Sequence, residues 1–141
     1  VDTGALGGTS WAVIEAVRAR ETGRPGDRRL QELGGAFSDW GIPTVASLIE
    51  VARCGGPVIA TGGVRNGLDV AKAIALGADL AGMALPLLGP ARNGQEALDA
   101  VVERVIDELR VAMFLTGSPE VPALRQARTI VTGRIRELTE F

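Results

Sequence analysis

The chain has 141 residues, 46% of them hydrophobic but only 4% aromatic, and a formal net charge of -2. That length makes one modest domain with an aliphatic core, and the near-neutral charge gives no reason to expect nucleic acid or an anionic membrane surface as a partner. No histidine is present and Cys54 stands alone, so His-based triads, His metal sites and an intrachain disulfide are excluded for this chain.

No apolar run approaches the length of a membrane span and no signal-peptide pattern is visible. Together with the lone cysteine this predicts a reducing, cytoplasmic setting. Val1 to Ala5 reads as the tail of a strand, so the chain is expected to be the remainder of something longer. Ala5 to Ser10 is a glycine turn just past that strand end. Thr9 and Ser10 can cap the next helix or reach a ligand. Trp11, Ile14 and Val17 share one helical face, and Trp11 is expected to be buried near the turn, as a wall of a site or as ordinary core.

The pattern fades at Glu21-Thr22. Gly23 to Arg29 is polar, broken and cationic, and is read as a mobile loop. It is either solvated surface or a lid whose arginines, Arg24 to Arg29, approach an anionic substrate. Pro43 biases Ile42 away from helix, and Thr44 opens a helix through about Cys54.

Gly56 to Leu88 organises the rest. Pro57 to Thr61 is a buried-strand run, Gly62-Gly63 is a tight turn, and a helix begins near Leu68 and stops at Gly77. Leu80 to Ala84 is a second small-residue strand, followed by a break at Pro86. A helix starting just after a glycine turn points free N–H groups and its positive dipole end at whatever sits in the turn. Arg65 adds a cation suited to phosphate. The expected ligand is a phosphate monoester; the plainer alternative is a turn that only joins strand to helix.

Beyond a break at Gly89-Pro90, Asn93 and Glu96 read as a cap for a helix from Gly94 to about Leu115. Its apolar stripe from Leu98 to Met113 is expected to pack on the sheet. Ser118-Pro119 reads as the start of a further short helix. Thr129 to Thr132 is β-branched but too short to assign, and Gly133 to Phe141 reads as a helical tail. Strands alternating with helices argue for a parallel α/β architecture. Three strands are expected, at Val1, Pro57 and Leu80.

Five runs carry a family resemblance: Gly7-Gly8-Thr9-Ser10-Trp11, Asp39-Trp40-Gly41-Ile42-Pro43-Thr44, Gly62 to Asp69, Lys72 to Asp79, and Met113 to Gly117. Together they resemble the C-terminal part of type 2 isopentenyl-diphosphate isomerase over nearly the whole chain. The Gly-Gly-x-Arg-x-Gly-x-Asp run is shared among FMN-binding barrels; the Gly-Gly-Thr-x-Trp and Asp-Trp-Gly-x-Pro-Thr runs single out the isomerase. The resemblance implies an α/β fold, the C-terminal part of a TIM (β/α)8 barrel with its last three strands and their helices. Residues 1–141 would then form one partial domain.

The resemblance further implies a flavoprotein of isoprenoid biosynthesis that interconverts isopentenyl and dimethylallyl diphosphates. It would use reduced FMN, NADPH and Mg2+, act on a small-molecule diphosphate, and form a homo-oligomer. Carried over residue by residue, Thr9 contacts the flavin. Gly63, Val64 and Arg65 hold the FMN phosphate, with Ala84 and Leu85 completing the pocket. The family's metal-ligand glutamate, its glutamine at the substrate and its flavin-side lysine match no position here, so the catalytic residues are expected outside the chain. Glu15 and Glu50 read as helix-surface groups, and Asp69 and Lys72 as helix-exterior groups or a local ion pair. The rival readings are a 2-hydroxy-acid oxidase or dehydrogenase of the same barrel type, whose chemistry uses a histidine absent here, and a non-catalytic fragment.

Overall fold

Three short extended segments lie side by side in parallel at the centre of the fold. The computed structural model describes residues 1–139, and their order across the sheet follows the chain. Asp2 pairs with Ile59 through an isolated bridge. Strand β1 (Ile59–Ala60) then pairs with β2 (Leu80–Ala81) in the register Ile59–Leu80 and Ala60–Ala81. The Ile59 amide donates to the Val1 carbonyl at 2.8 Å, Thr3 donates back to Ile59 at 3.0 Å, and Gly82 donates to Ala60 at 2.8 Å. Two of the three expected strands are therefore present, much shorter than the sequence suggests, and the one expected at Val1 is reduced to the isolated bridge at Asp2.

The helices are α1 (Trp11–Thr22), α2 (Asp27–Ala36), α3 (Thr44–Arg53), α4 (Gly67–Ala75), α5 (Leu85–Asn93), α6 (Gln95–Leu115) and α7 (Gly133–Thr139), with a 3-10 helix at Val121–Gln126 between the last two. Each β-strand to helix step returns the chain to a parallel neighbour, as a βαβ crossover requires. The core is aliphatic. Leu48, Val58 and Leu124 are its largest fully buried side chains, joined by Ala60, Ala71, Ala73, Ile74, Ala78 and Ala112. Burying each of the three larger side chains contributes about 1.5–3 kcal/mol. Alanine fills the remaining positions because α4 lies close against both the sheet and α6.

Several expectations are corrected. The cationic run is not a loop through Arg29: α2 starts at Asp27, so Arg28 and Arg29 are helical, and Arg28 pairs with Glu32 one turn on at 3.1 Å. The remaining turn is tied down, since the buried Asp27 carboxylate accepts from the Thr22 hydroxyl at 2.8 Å and from the Arg24 amide. Trp11 is 68% exposed. The seam between α1 and α2 is instead made by Ala12, Ala16 and Gly34, which lets the backbones meet and leaves the indole to one side.

Pro86 does not break the chain; it sits in the first turn of α5, where its missing N–H costs no helical bond. Pro90 lies inside the same helix, near its end. Gly94, not Asn93, stands at the cap position of α6, with no side-chain bond. The stripe of α6 packs against α4 and α5 more than against the sheet. Glu120 stands where Ser118 was expected to cap, while Ser118 is buried and bonded to the Thr116 hydroxyl at 3.0 Å. Thr129 to Thr132 forms no strand. The tail helix is present as α7 to Thr139; Glu140 and Phe141 lie outside the described residues.

Candidate functional site

The loops that follow the parallel strands open on one side of the sheet. There a cleft of about 430 Å³ is lined by Gly8, Thr9, Thr61, Gly62, Gly63, Val64, Arg65, Gly82, Met83, Ala84 and Leu85. All six residues singled out from the sequence, Thr9, Gly63, Val64, Arg65, Ala84 and Leu85, stand on its wall. Three loops supply them: the one after the first extended segment, the one after β1 and the one after β2.

The turn after β1 has a backbone that only glycine adopts easily. Gly62 and Gly63 have φ of +83° and +98°. A Cβ on Gly63 would stand 2.5 Å from the Gly7 carbonyl oxygen, and one on Gly8 would stand 2.8 Å from the Gly62 Cα. The two glycine turns therefore pack backbone on backbone. Thr61 is held from below, its amide donating to the Thr3 hydroxyl at 3.4 Å and its own hydroxyl donating to Asp2.

Donors without partners converge on the cleft. Among the described residues, the amides of Gly63, Val64, Ala84 and Leu85 have no acceptor in the protein, and neither the Thr9 hydroxyl nor the Arg65 guanidinium has a partner. The Val64 side chain is buried, so its backbone is what it offers the cleft. Unpaired N–H groups beside an exposed arginine form the donor set of an anion site. The unpartnered polar groups at the cleft include backbone amides and a guanidinium, which are donors of the kind an anion such as a phosphate monoester requires.

One part of the sequence reading is corrected. The N-terminus of α4 has most of its first-turn amides already taken, those of Gly67 and Asp69 by side chains and that of Val70 by the Asn66 carbonyl. Asn66 caps it, accepting from the Asp69 amide at 2.8 Å. The Asp69 carboxylate accepts from the Arg65 amide at 3.0 Å, and Glu108 of α6 accepts from Gly67 at 2.7 Å. Two carboxylates thus close that helix end, which favours them and disfavours a further anion there. The start of α5 faces the cleft instead. Asp69 consequently has a local structural role, and Lys72 forms no ion pair with it among the described residues.

Glu15 and Glu50 each pair with an arginine three residues on, Arg18 and Arg53, both at 2.6 Å on exposed faces. A second hollow adjoins the cleft, lined in part by Thr9, Trp11, Phe37, Trp40 and Gly62. Trp11 is thus a wall residue and not core. Among the described residues, no group of three or more His, Cys, Asp or Glu could hold a metal ion, and no helix is long and apolar enough to cross a membrane.

Two supports of the site were missed. Thr44, read as a helix start and as the end of the Asp-Trp-Gly-x-Pro-Thr run but not as a support of the turn, donates its hydroxyl to the Gly62 carbonyl. Glu108, read only as part of a long helix, reaches the start of α4. The Asp-Trp-Gly-x-Pro-Thr run that ends on Thr44 was the one available hint for it; nothing in the sequence marks Glu108.

Residues 32–131 match the family model described as FMN-dependent dehydrogenase. The chain is 53% identical over 140 residues to a protein of Methanoregula boonei named isopentenyl-diphosphate delta-isomerase, covering 99% of this chain and 39% of that one. Proteins of the same name from Methanothrix thermoacetophila, 49% identical, and Halobacterium salinarum, 50% identical, are each covered over 38% of their length, again by 99% of this chain. The chain therefore spans a little over a third of the length of the curated relatives it matches.

Proposed function

This chain belongs to the FMN-dependent dehydrogenase family, and we propose that it carries the FMN-phosphate side of the active site of an isopentenyl-diphosphate delta-isomerase. In this reading residues 1–141 are one partial domain, the C-terminal part of a TIM (β/α)8 barrel contributing its last three strands. The observation that supports it most is the set of unpartnered donors from three successive strand ends around a single cleft. A phosphate held between strand-end loops is the usual arrangement of such barrels.

The roles follow from the geometry. The amides of Gly63 and Val64 and the guanidinium of Arg65 would bind the phosphate from one side. The amides at Ala84 and Leu85, at the start of α5, would bind it from the other. Thr9 would lie along the flavin side of the cleft. When bound, reduced FMN would supply the proton handling at the alkene carbon, with no net redox change in the substrate. This chain's own part is to anchor and orient the nucleotide so that its ring faces the sheet axis. NADPH as reductant, Mg2+ on the diphosphate, a homo-oligomeric assembly and a cytoplasmic location belong to the same reading. The groups for metal and substrate are proposed to come from outside these residues.

The names of the relatives favour the isomerase over a 2-hydroxy-acid oxidase, and the chain has no histidine to serve as that chemistry's base. Titrating the chain with FMN and with riboflavin tests the phosphate site. Tighter binding of FMN supports it; equal affinity for the two counts against it.

A further inference from the structure

Gly62 and Gly63 flank a peptide unit that carries no side chain on either side, and both residues have positive φ. No side chain of its own opposes turning such a unit over. A trans peptide is planar, so its carbonyl and its N–H point in opposite directions. The direction taken by the Gly62 carbonyl therefore decides where the Gly63 amide points.

One side chain holds that carbonyl. Thr44, the first residue of α3, donates its hydroxyl hydrogen to the Gly62 oxygen. The Leu6 amide, donating to Ile42 at 2.9 Å, ties the segment just before α3 to the first glycine turn. The hydroxyl passes through the place a Cβ on residue 7 would occupy, so Gly7 leaves room for it. Three sequence runs, around Gly7, Thr44 and Gly62, meet at this one contact.

We infer that Thr44 is a positioning residue whose hydroxyl latches the Gly62–Gly63 peptide, turning the Gly63 amide away from α3 and toward the cleft shared with Arg65 and Ala84. The functional consequence rests on the FMN-phosphate reading above. The latch itself is a property of the ligand-free chain. Without it the peptide can invert, which would place a carbonyl oxygen where an anion needs a donor.

The test compares Thr44→Val, which keeps the shape and removes the hydroxyl, with Thr44→Ser, which keeps the hydroxyl. In ligand-free protein, the Gly62 carbonyl carbon and Gly63 amide resonances should move in the valine variant and stay near wild type in the serine variant. FMN affinity should fall about five- to tenfold in the valine variant, riboflavin affinity should not change, and serine should restore FMN binding. Should the valine variant fail to fold, the wild-type Gly62 carbonyl shift decides alone, since an accepted hydrogen bond moves it and a free carbonyl lacks that displacement. A Gly62–Gly63 peptide unchanged in Thr44→Val, or a wild-type Gly62 carbonyl with no such displacement, overturns the latch. A moved peptide with no preference for FMN over riboflavin in the wild type leaves the latch standing and removes the FMN reading.

Discussion

Glu108, on α6, accepts the amide hydrogen of Gly67, the first residue of α4, at 2.7 Å. The contact exists because α6 comes very close at that point: a Cβ on Gly67 would run into the backbone at Val105 and Leu109. Gly67→Ala is expected to destabilise the chain by about 1–3 kcal/mol through overpacking. Glu108→Ala should cost about 1 kcal/mol, and Glu108→Gln less, because glutamine can still accept the bond. Denaturant unfolding of the three variants checks the order.

Arg65 is the exposed cation at the cleft mouth. Arg65→Ala should weaken FMN binding by about 1.5–3 kcal/mol if a charged hydrogen bond to phosphate is lost. Riboflavin binding should be unaffected. FMN affinity equal to wild type would remove Arg65 from the phosphate site.

Gly63→Ala combines a strained φ of +98° with a Cβ 2.5 Å from the Gly7 carbonyl oxygen. The expected cost is about 1–3 kcal/mol of stability, accompanied by loss of FMN binding as the two turns separate. A thermal melt and an FMN titration on the same sample read both effects.

The Asp79 carboxylate accepts the Val58 amide hydrogen at 2.7 Å and pairs with Arg125 of the 3-10 helix. The Val58 bond first, and Arg125 second, hold its pKa below the ordinary carboxylate value. On unfolding that pKa rises, so as pH falls the unfolded chain takes up the proton first. The stabilisation from Asp79 is therefore complete above the unfolded carboxylate pKa and is lost as pH drops through the lower, folded value. Asp79→Asn should flatten this acid-side slope in unfolding curves measured at successive pH values.

The turn from Gly23 to Gly26 is held by Asp27, and the arginines after it are helical. Asp27→Ala should destabilise α2 by about 1 kcal/mol, since the Arg24 amide and Thr22 hydroxyl lose their acceptor. Arg28→Ala should change stability by less than about 0.5 kcal/mol, because its ion pair with Glu32 is solvent-exposed. It should leave FMN affinity unchanged. A raised diphosphate-substrate KM for Arg28→Ala in a complete enzyme would revive the lid.

The residues lining the cleft were legible because their chemistry sits in residue types. A Gly-Gly pair allows the turn, an arginine supplies charge, and a short apolar run before them marks the strand that ends there. The helices α2 and α5 were illegible for the opposite reason. Gly23 to Arg29 read as a polar, broken loop, yet α2 starts at Asp27, and its Gly34 packs closely on α1. Pro86, Gly89 and Pro90 read as breakers, yet Pro86 stands in the first turn, where proline is tolerated. The exposure of Trp11 and the reach of Glu108 depend on how helices distant in sequence cross, which local periodicity does not encode. The same holds for the closure of α4 by carboxylates: the Asn66 cap was local and readable, whereas Glu108 arrives from 41 residues away.

The most direct measurement follows the backbone amides of the 141-residue chain by NMR during titration with FMN, with riboflavin as the control. The expected result is that Gly63, Val64, Ala84 and Leu85 shift with FMN and scarcely move with riboflavin. Shifts confined to other surfaces, or the same shifts with both ligands, would contradict a phosphate held between the Gly62–Arg65 turn and the start of α5.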